Sequence, residues 1–128
     1  MIICRALLIP RHSACANERM CDMVATGGLV FVSGQVPDTL DATIEQQTTE
    51  VLRKLDVMLA RAGTNKSQLK TTTICLSDFR HYAGLNSAWD QWVDKGSPPA
   101  RDCFKLELAN PGWKVEIVAT AMRSGKRL

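Results

Sequence analysis

The sequence predicts an α+β fold in which two helices cover one face of a mixed sheet. Three observations carry that prediction. Two segments place apolar residues three and four apart, as amphipathic helices do. Five others are rich in β-branched or alternating apolar residues, as strands are. Between them, Gly27-Gly28, Gly63, Pro98-Pro99 and Asn110-Pro111-Gly112 punctuate the order β-β-α-β-α-β-β.

Residues 1–19 carry no clear pattern. Asp22–Thr26 and Leu29–Gln35 read as strands, joined by two glycines that suit a turn with positive φ at both positions. Ile44, Thr48, Val51, Leu52, Leu55, Leu59 and Ala62 fall on one helical face. Asp41 is the expected N-cap, Glu45 suits the first turn, and Gly63 is a natural stop. Leu69–Leu76 is a β-branched strand. Asp78 is expected to cap a second helix with the stripe Phe79, Tyr82, Leu85, Trp89, Trp92 and Val93, and Pro98-Pro99 forbid its continuation. Arg101–Leu108 and Trp113–Met122 complete the strands.

The chain has 128 residues, which favours one domain spanning 1–128. At 45% apolar residues it can form a substantial core, yet no run of 18 apolar residues is present to span a membrane. The N-terminal segment is too short and wrongly charged for a signal peptide, so a cytoplasmic protein is expected. Five cysteines at irregular spacing argue against a disulfide framework or a zinc site and suggest free thiols; no metal is expected. The net charge is +3, with basic residues scattered apart from the tail, 123–128. That distribution argues against nucleic acid as a partner.

Two helices can cover only one sheet face, yet the strands carry apolar residues on both. Leu29 and Phe31 alternate with Val30 and Val32; Val115 and Ile117 alternate with Val118 and Met122. The second face therefore calls for a partner, and an oligomer packed through sheet faces is expected.

Arg101 and Glu116 are the candidate chemical pair. If the last two strands form a hairpin with Cys103 opposite Glu116, all three share the face away from the helices. Arg101 and Glu116 are then diagonal, at roughly 7–8 Å between backbones. Two readings follow: an ordinary cross-strand ion pair, or an arginine fork gripping a carboxylate beside a glutamate that handles water. Cys103 reads as a small strand residue rather than a nucleophile, because neither His12 nor His81 is placed beside it. Ser33 can donate to a ligand or to nearby backbone. Asn86 can bond the loop before Pro98 or face solvent. Trp89 and Trp92 follow the helical stripe and read as packing.

Several motifs together resemble the RidA/YjgF (Rid) family. They are Ser33-Gly34-Gln35-Val36-Pro37, Gln47-Thr48 with Val51-Leu52, Asn86 with Trp89 and Trp92, and Pro99-Ala100-Arg101-x-Cys103 with Val115-Glu116-Ile117. The resemblance covers roughly residues 20–122. It implies a chorismate-mutase-like (YjgF-like) homotrimer with clefts between subunits. The implied activity is hydrolysis of enamine-derived 2-imino acids to 2-keto acids and ammonia, a 2-iminobutanoate/2-iminopropanoate deaminase chemistry needing no cofactor. The family's carboxylate-binding arginine falls on Arg101, its water-orienting glutamate on Glu116, and its ligand-side backbone contribution on Cys103. Ser33 and Asn86 match pocket or pocket-support positions. Thirteen residues before Ser33, where archetypal members have a pocket-closing aromatic, this chain has Met20, marking a divergent branch. The other functions implied are binding of small carboxylates such as 2-oxo acids without turnover, and the endoribonuclease or translation-inhibitor activity attached to some relatives.

Overall fold

The computed structural model describes residues 12–123. Six strands form one sheet: β1 (His12–Cys15), β2 (Cys21–Thr26), β3 (Leu29–Gln35), β4 (Leu69–Leu76), β5 (Ala100–Lys105) and β6 (Val115–Met122). Two helices, α1 (Ile44–Arg61) and α2 (Tyr82–Trp92), pack together on one side. The strand order is β1-β2-β3-β6-β4-β5. All neighbours are antiparallel except β4 and β5, which are parallel.

The β2–β3 hairpin turns through Gly27 and Gly28, with φ of 57° and 86°. Only glycine adopts those values without strain, and their twist matches the strands they join. The start of α1 differs from expectation. Thr43, not Asp41, is the N-cap; its hydroxyl accepts from the Gln46 N–H while the Gln46 side chain accepts from the Thr43 N–H. This reciprocal capping box satisfies two backbone donors at once, so it displaces the simpler cap. Gly63, at φ 80°, follows the last turn of α1 as expected. Asp78 caps a one-turn 3-10 segment, Phe79–His81, that leads into α2.

The core lies between the helices and the sheet. Val51, Leu52, Leu55 and Leu59 of α1 and Leu85 of α2 meet Met23, Val30, Ile74, Val115 and Ile117 of the strands. Full burial of one such large side chain contributes about 1.5–3 kcal/mol. Gln47 of α1 is buried among them and fully engaged. Its Nε2 donates to the carbonyls of Thr39, Leu40 and Gly112, and its Oε1 accepts from the Lys114 N–H at 2.8 Å. One side chain thus fixes both the approach to α1 and the entry to β6, two residues before Glu116.

Among the described residues, no element covers the other face of the sheet. Leu29 and Phe31 of β3, Phe104 of β5, and Val118 and Met122 of β6 range from 37% to 52% exposed. So many large apolar side chains on one open surface are the mark of an interaction face.

Two further expectations are overturned. The N-terminal segment contains an additional strand, β1, so the order opens with three strands. Cys15 and Cys21, expected as free thiols, form a disulfide across the β1–β2 pair. A hairpin makes residues six apart into cross-strand neighbours, which spacing without the strand could not reveal. Cys75 and Cys103 are free. No helix among the described residues is long and apolar enough to cross a membrane.

Candidate functional site

The predicted hairpin of the last two strands does not form. β4 lies between β5 and β6. A strand–helix–strand unit such as β4-α2-β5 favours parallel neighbours, and the connection 106–114 is too long for a tight hairpin turn. β6 then pairs with β4 on its other side. Register settles the faces. Arg101 aligns with buried Thr72, and Cys103 with buried Ile74, on the helix side. Glu116 aligns with Cys75 and shares the open face with Val118. Arg101 and Cys103 therefore lie on one face of the sheet and Glu116 on the other. Among the described residues no ion pair joins Arg101 to Glu116, so the simple cross-strand bridge is not formed.

Arg101 is half-buried on β5, an edge strand, and its guanidinium rests on α2. Its Cζ lies 5.3 Å from the Trp89 ring centroid and 6.0 Å from that of Tyr82. Its Nη2 donates to the Tyr82 hydroxyl at 3.3 Å. A guanidinium over aromatic faces is attracted by their π-electrons. A cavity of about 440 Å³ opens here, lined by Phe79, Tyr82, Arg101, Asp102 and Cys103.

The backbone of β5 adds to this cavity. The Leu106 N–H donates to the Leu76 carbonyl at 3.0 Å. In a parallel ladder, alternate residues turn their polar groups toward opposite sides. Phe104 and Asp102 consequently face β4, and the Cys103 N–H faces the unpaired edge. Burial pushes the Cys103 thiol up, against the lowering influence of Arg101. A thiol so raised is a poor nucleophile.

Glu116 has a different setting. Its carboxylate presses against Gly34: a Cβ at position 34 would lie 1.9 Å from Glu116 Oε2. The sheet register shifts at this point of β3, between Val32 and Gln35, and Gly34 makes room for the carboxylate. Among the described residues nothing donates a hydrogen bond to Glu116. Its charge still acts on its neighbour Cys75, whose thiol is pushed up by burial first and by Glu116 next.

The remaining candidates divide. Ser33 sits beside Gly34, but its hydroxyl donates to the Asp22 carbonyl at 3.2 Å, the backbone role. Met20 is exposed at the end of the β1–β2 loop, which Asn17 organises by accepting from the N–H groups of Arg19 and Met20. Asn86 is half-buried in α2, and among the described residues its amide has no partner in the loop before Pro98. His81 is part-buried, and burial lowers its basicity. His12 begins β1. The basic tail beyond Arg123 lies outside the described residues. Sequence reasoning missed Tyr82 and Trp89 as neighbours of Arg101; seven residues apart, they share one face of α2, and the parallel β4–β5 crossover brings that face over β5.

Comparison with known proteins agrees with this architecture. The profile of the endoribonuclease L-PSP family matches residues 12–123. A RutC family protein of Haemophilus influenzae is 45% identical over 106 residues, covering 82% of this chain and 91% of that protein. The RutC family protein YoaB of Escherichia coli is 39% identical, covering 83% and 92%. Among solved structures, a YjgF-family protein of Neisseria meningitidis superposes with a TM-score of 0.87 at 36% identity, over 92% of this chain and 98% of that one. With its two helices on a mixed six-stranded sheet, the chain belongs to the endoribonuclease L-PSP family, the YjgF/RidA group.

Proposed function

We propose that this protein hydrolyses reactive 2-imino acids, and the enamines that tautomerise to them, to 2-keto acids and ammonia. The observation that carries the reading is Arg101. Among the described residues it is a cation without a carboxylate partner, held on aromatic surface at a cavity that also presents the Cys103 N–H. An arginine fork and an adjacent amide are the donors a small carboxylate needs. The C=N carbon of a protonated imine is already electrophilic, so water needs only orientation and a weak base. Glu116, with its carboxylate unengaged beside Gly34, suits that role.

Because Arg101 and Glu116 lie on opposite faces of their own sheet, the reading takes them from two different protomers. Copies of this chain would associate through the open face bearing Leu29, Phe31, Val118 and Met122, as a homotrimer with a cleft at each subunit boundary. Arg101 of one protomer and Glu116 of its neighbour then line one cleft. No cofactor enters the reaction. RNA cleavage, the activity in the family's name, would require cations along a groove; the open face carries large apolar side chains instead.

Subunit mixing tests this. Toward imines generated in situ by an amino-acid oxidase, Arg101→Ala is expected to be inactive and Glu116→Gln to be slowed about a hundredfold or more. Co-refolded at equal amounts, random reassembly makes about a quarter of composite sites intact, and keto-acid formation returns to that extent. No recovery in verified mixed oligomers overturns the shared cleft. Unchanged turnover in Arg101→Ala alone overturns the function. Binding of 2-oxo acids by the parent protein with no turnover above background would favour a carboxylate-binding protein.

A further inference from the structure

Tyr82 stands in a position that packing alone does not explain. It is the first residue of α2 and remains 41% exposed. Its ring contributes to the cavity wall beside Phe79, where a phenylalanine would serve equally well. What a phenylalanine lacks is the hydroxyl, and that hydroxyl accepts from Arg101 Nη2 at 3.3 Å. Accepting that bond uses a lone pair on the phenol oxygen and leaves its hydrogen free. Among the described residues no acceptor takes that hydrogen.

Two consequences follow from the chemistry. Trp89 supports the guanidinium at 5.3 Å, and Tyr82 tethers one of its edges. A flexible cation held at two points forfeits less freedom when it binds. In addition, a phenol oxygen that accepts from a cation has a more polarised O–H, hence a stronger donor. The cavity's other donors among the described residues, Arg101 and the Cys103 N–H, favour an anion.

We propose that Tyr82 completes an anion grip: its oxygen positions Arg101, and its hydroxyl hydrogen bonds the carboxylate that Arg101 holds. The substrate class is thereby narrowed to small acids whose carboxylate enters between α2 and the β5 edge. This inference rests on Arg101 being the carboxylate site.

Equilibrium binding of 2-oxobutanoate by calorimetry separates the two claims. Tyr82→Phe removes one oxygen and keeps the ring, and is expected to raise Kd about tenfold, as loss of a bond to a charged group does. Arg101→Lys is expected to weaken binding in the parent, and by a clearly smaller factor in the Tyr82→Phe background. That non-additivity is a coupling a merely structural tyrosine does not produce. Arg101→Ala is expected to abolish binding. Unaltered affinity in Tyr82→Phe, with binding lost in Arg101→Ala, overturns the role of Tyr82 while leaving the carboxylate site standing. So do additive losses in the double variant. Retained binding in Arg101→Ala overturns both.

Discussion

The two faces of the sheet hold the two candidate groups in opposite ways. On the helix side Arg101 sits at an edge strand and is supported from above by Tyr82 and Trp89 of α2. On the open side Glu116 sits on a central strand and is accommodated from beside, by the missing side chain of Gly34. One group is positioned by what is present, the other by what is absent. A cation can rest on aromatic rings at modest cost. The proposed role of Glu116 toward water calls instead for oxygens free of intramolecular donors, and glycine supplies space without a donor side chain.

The largest expected effect strikes the supported group. Arg101→Ala should abolish keto-acid formation while the oligomer persists in size-exclusion chromatography, since Arg101 forms no salt bridge within the described residues. Simultaneous loss of the oligomer would make Arg101 an assembly residue instead. Next, Glu116→Gln should slow turnover about 10²–10⁴-fold, the usual range for a general base, with a smaller change in affinity for 2-oxo acids. Equal loss of binding would point to a structural glutamate.

Gly34→Ala sharpens the contrast between support and space. Its Cβ overlaps the Glu116 carboxylate, so the flexible glutamate must move. About tenfold loss in kcat is expected from such misplacement, with Arg101-dependent ligand binding retained. A variant as active as the parent would show that the carboxylate works from elsewhere. Gln47→Leu acts on stability: it removes the hydrogen-bond partner of three carbonyls and one N–H that are partly shielded from water. A destabilisation of about 1–3 kcal/mol in urea denaturation is expected, the cost of leaving such groups unsatisfied.

The smallest effect is a pH dependence on the helix side. The Thr39 N–H holds the Glu50 carboxyl below its ordinary value of 4.5, against partial desolvation; the Thr39 hydroxyl, the Asp38 N–H and Lys54 add to it. A carboxyl lowered on folding stabilises the protein above its ordinary value, and the contribution is lost as pH falls through the lowered one. Glu50→Gln should therefore flatten the stability profile below pH 4.5 and, between pH 6 and 8, lower it by a constant amount without changing its slope. A parallel acid dependence in parent and variant would refute the assignment.

Much of the fold was legible because its signals are local. Gly27-Gly28 demanded positive φ, Gly63 ended α1, and the β-branched run Leu69–Leu76 became β4 without change. The cap of α1 moved to Thr43 because a reciprocal pair with Gln46 outcompetes one aspartate. The residue types were readable, and among the described residues Arg101 and Glu116 form no ion pair with each other. Their arrangement was not. Pairing the last two strands as neighbours ignored the strand–helix–strand unit, whose parallel crossover places β5 outside β4. That error put Arg101 and Cys103 on the wrong face.

Sequence by itself determined the elements from β2 onward, the two-faced apolar pattern and the residue types of the candidate site: one arginine, one glutamate and a glycine before a strand end. These are encoded in neighbouring residues, through backbone sterics and periodicity. Tertiary structure alone decided that Arg101 rests on Tyr82 and Trp89, that Gly34 opens space for Glu116, and that the two charges occupy opposite faces. Those relations join residues far apart in the chain. Strand order and register set them, and a shift of one residue in register reverses every face.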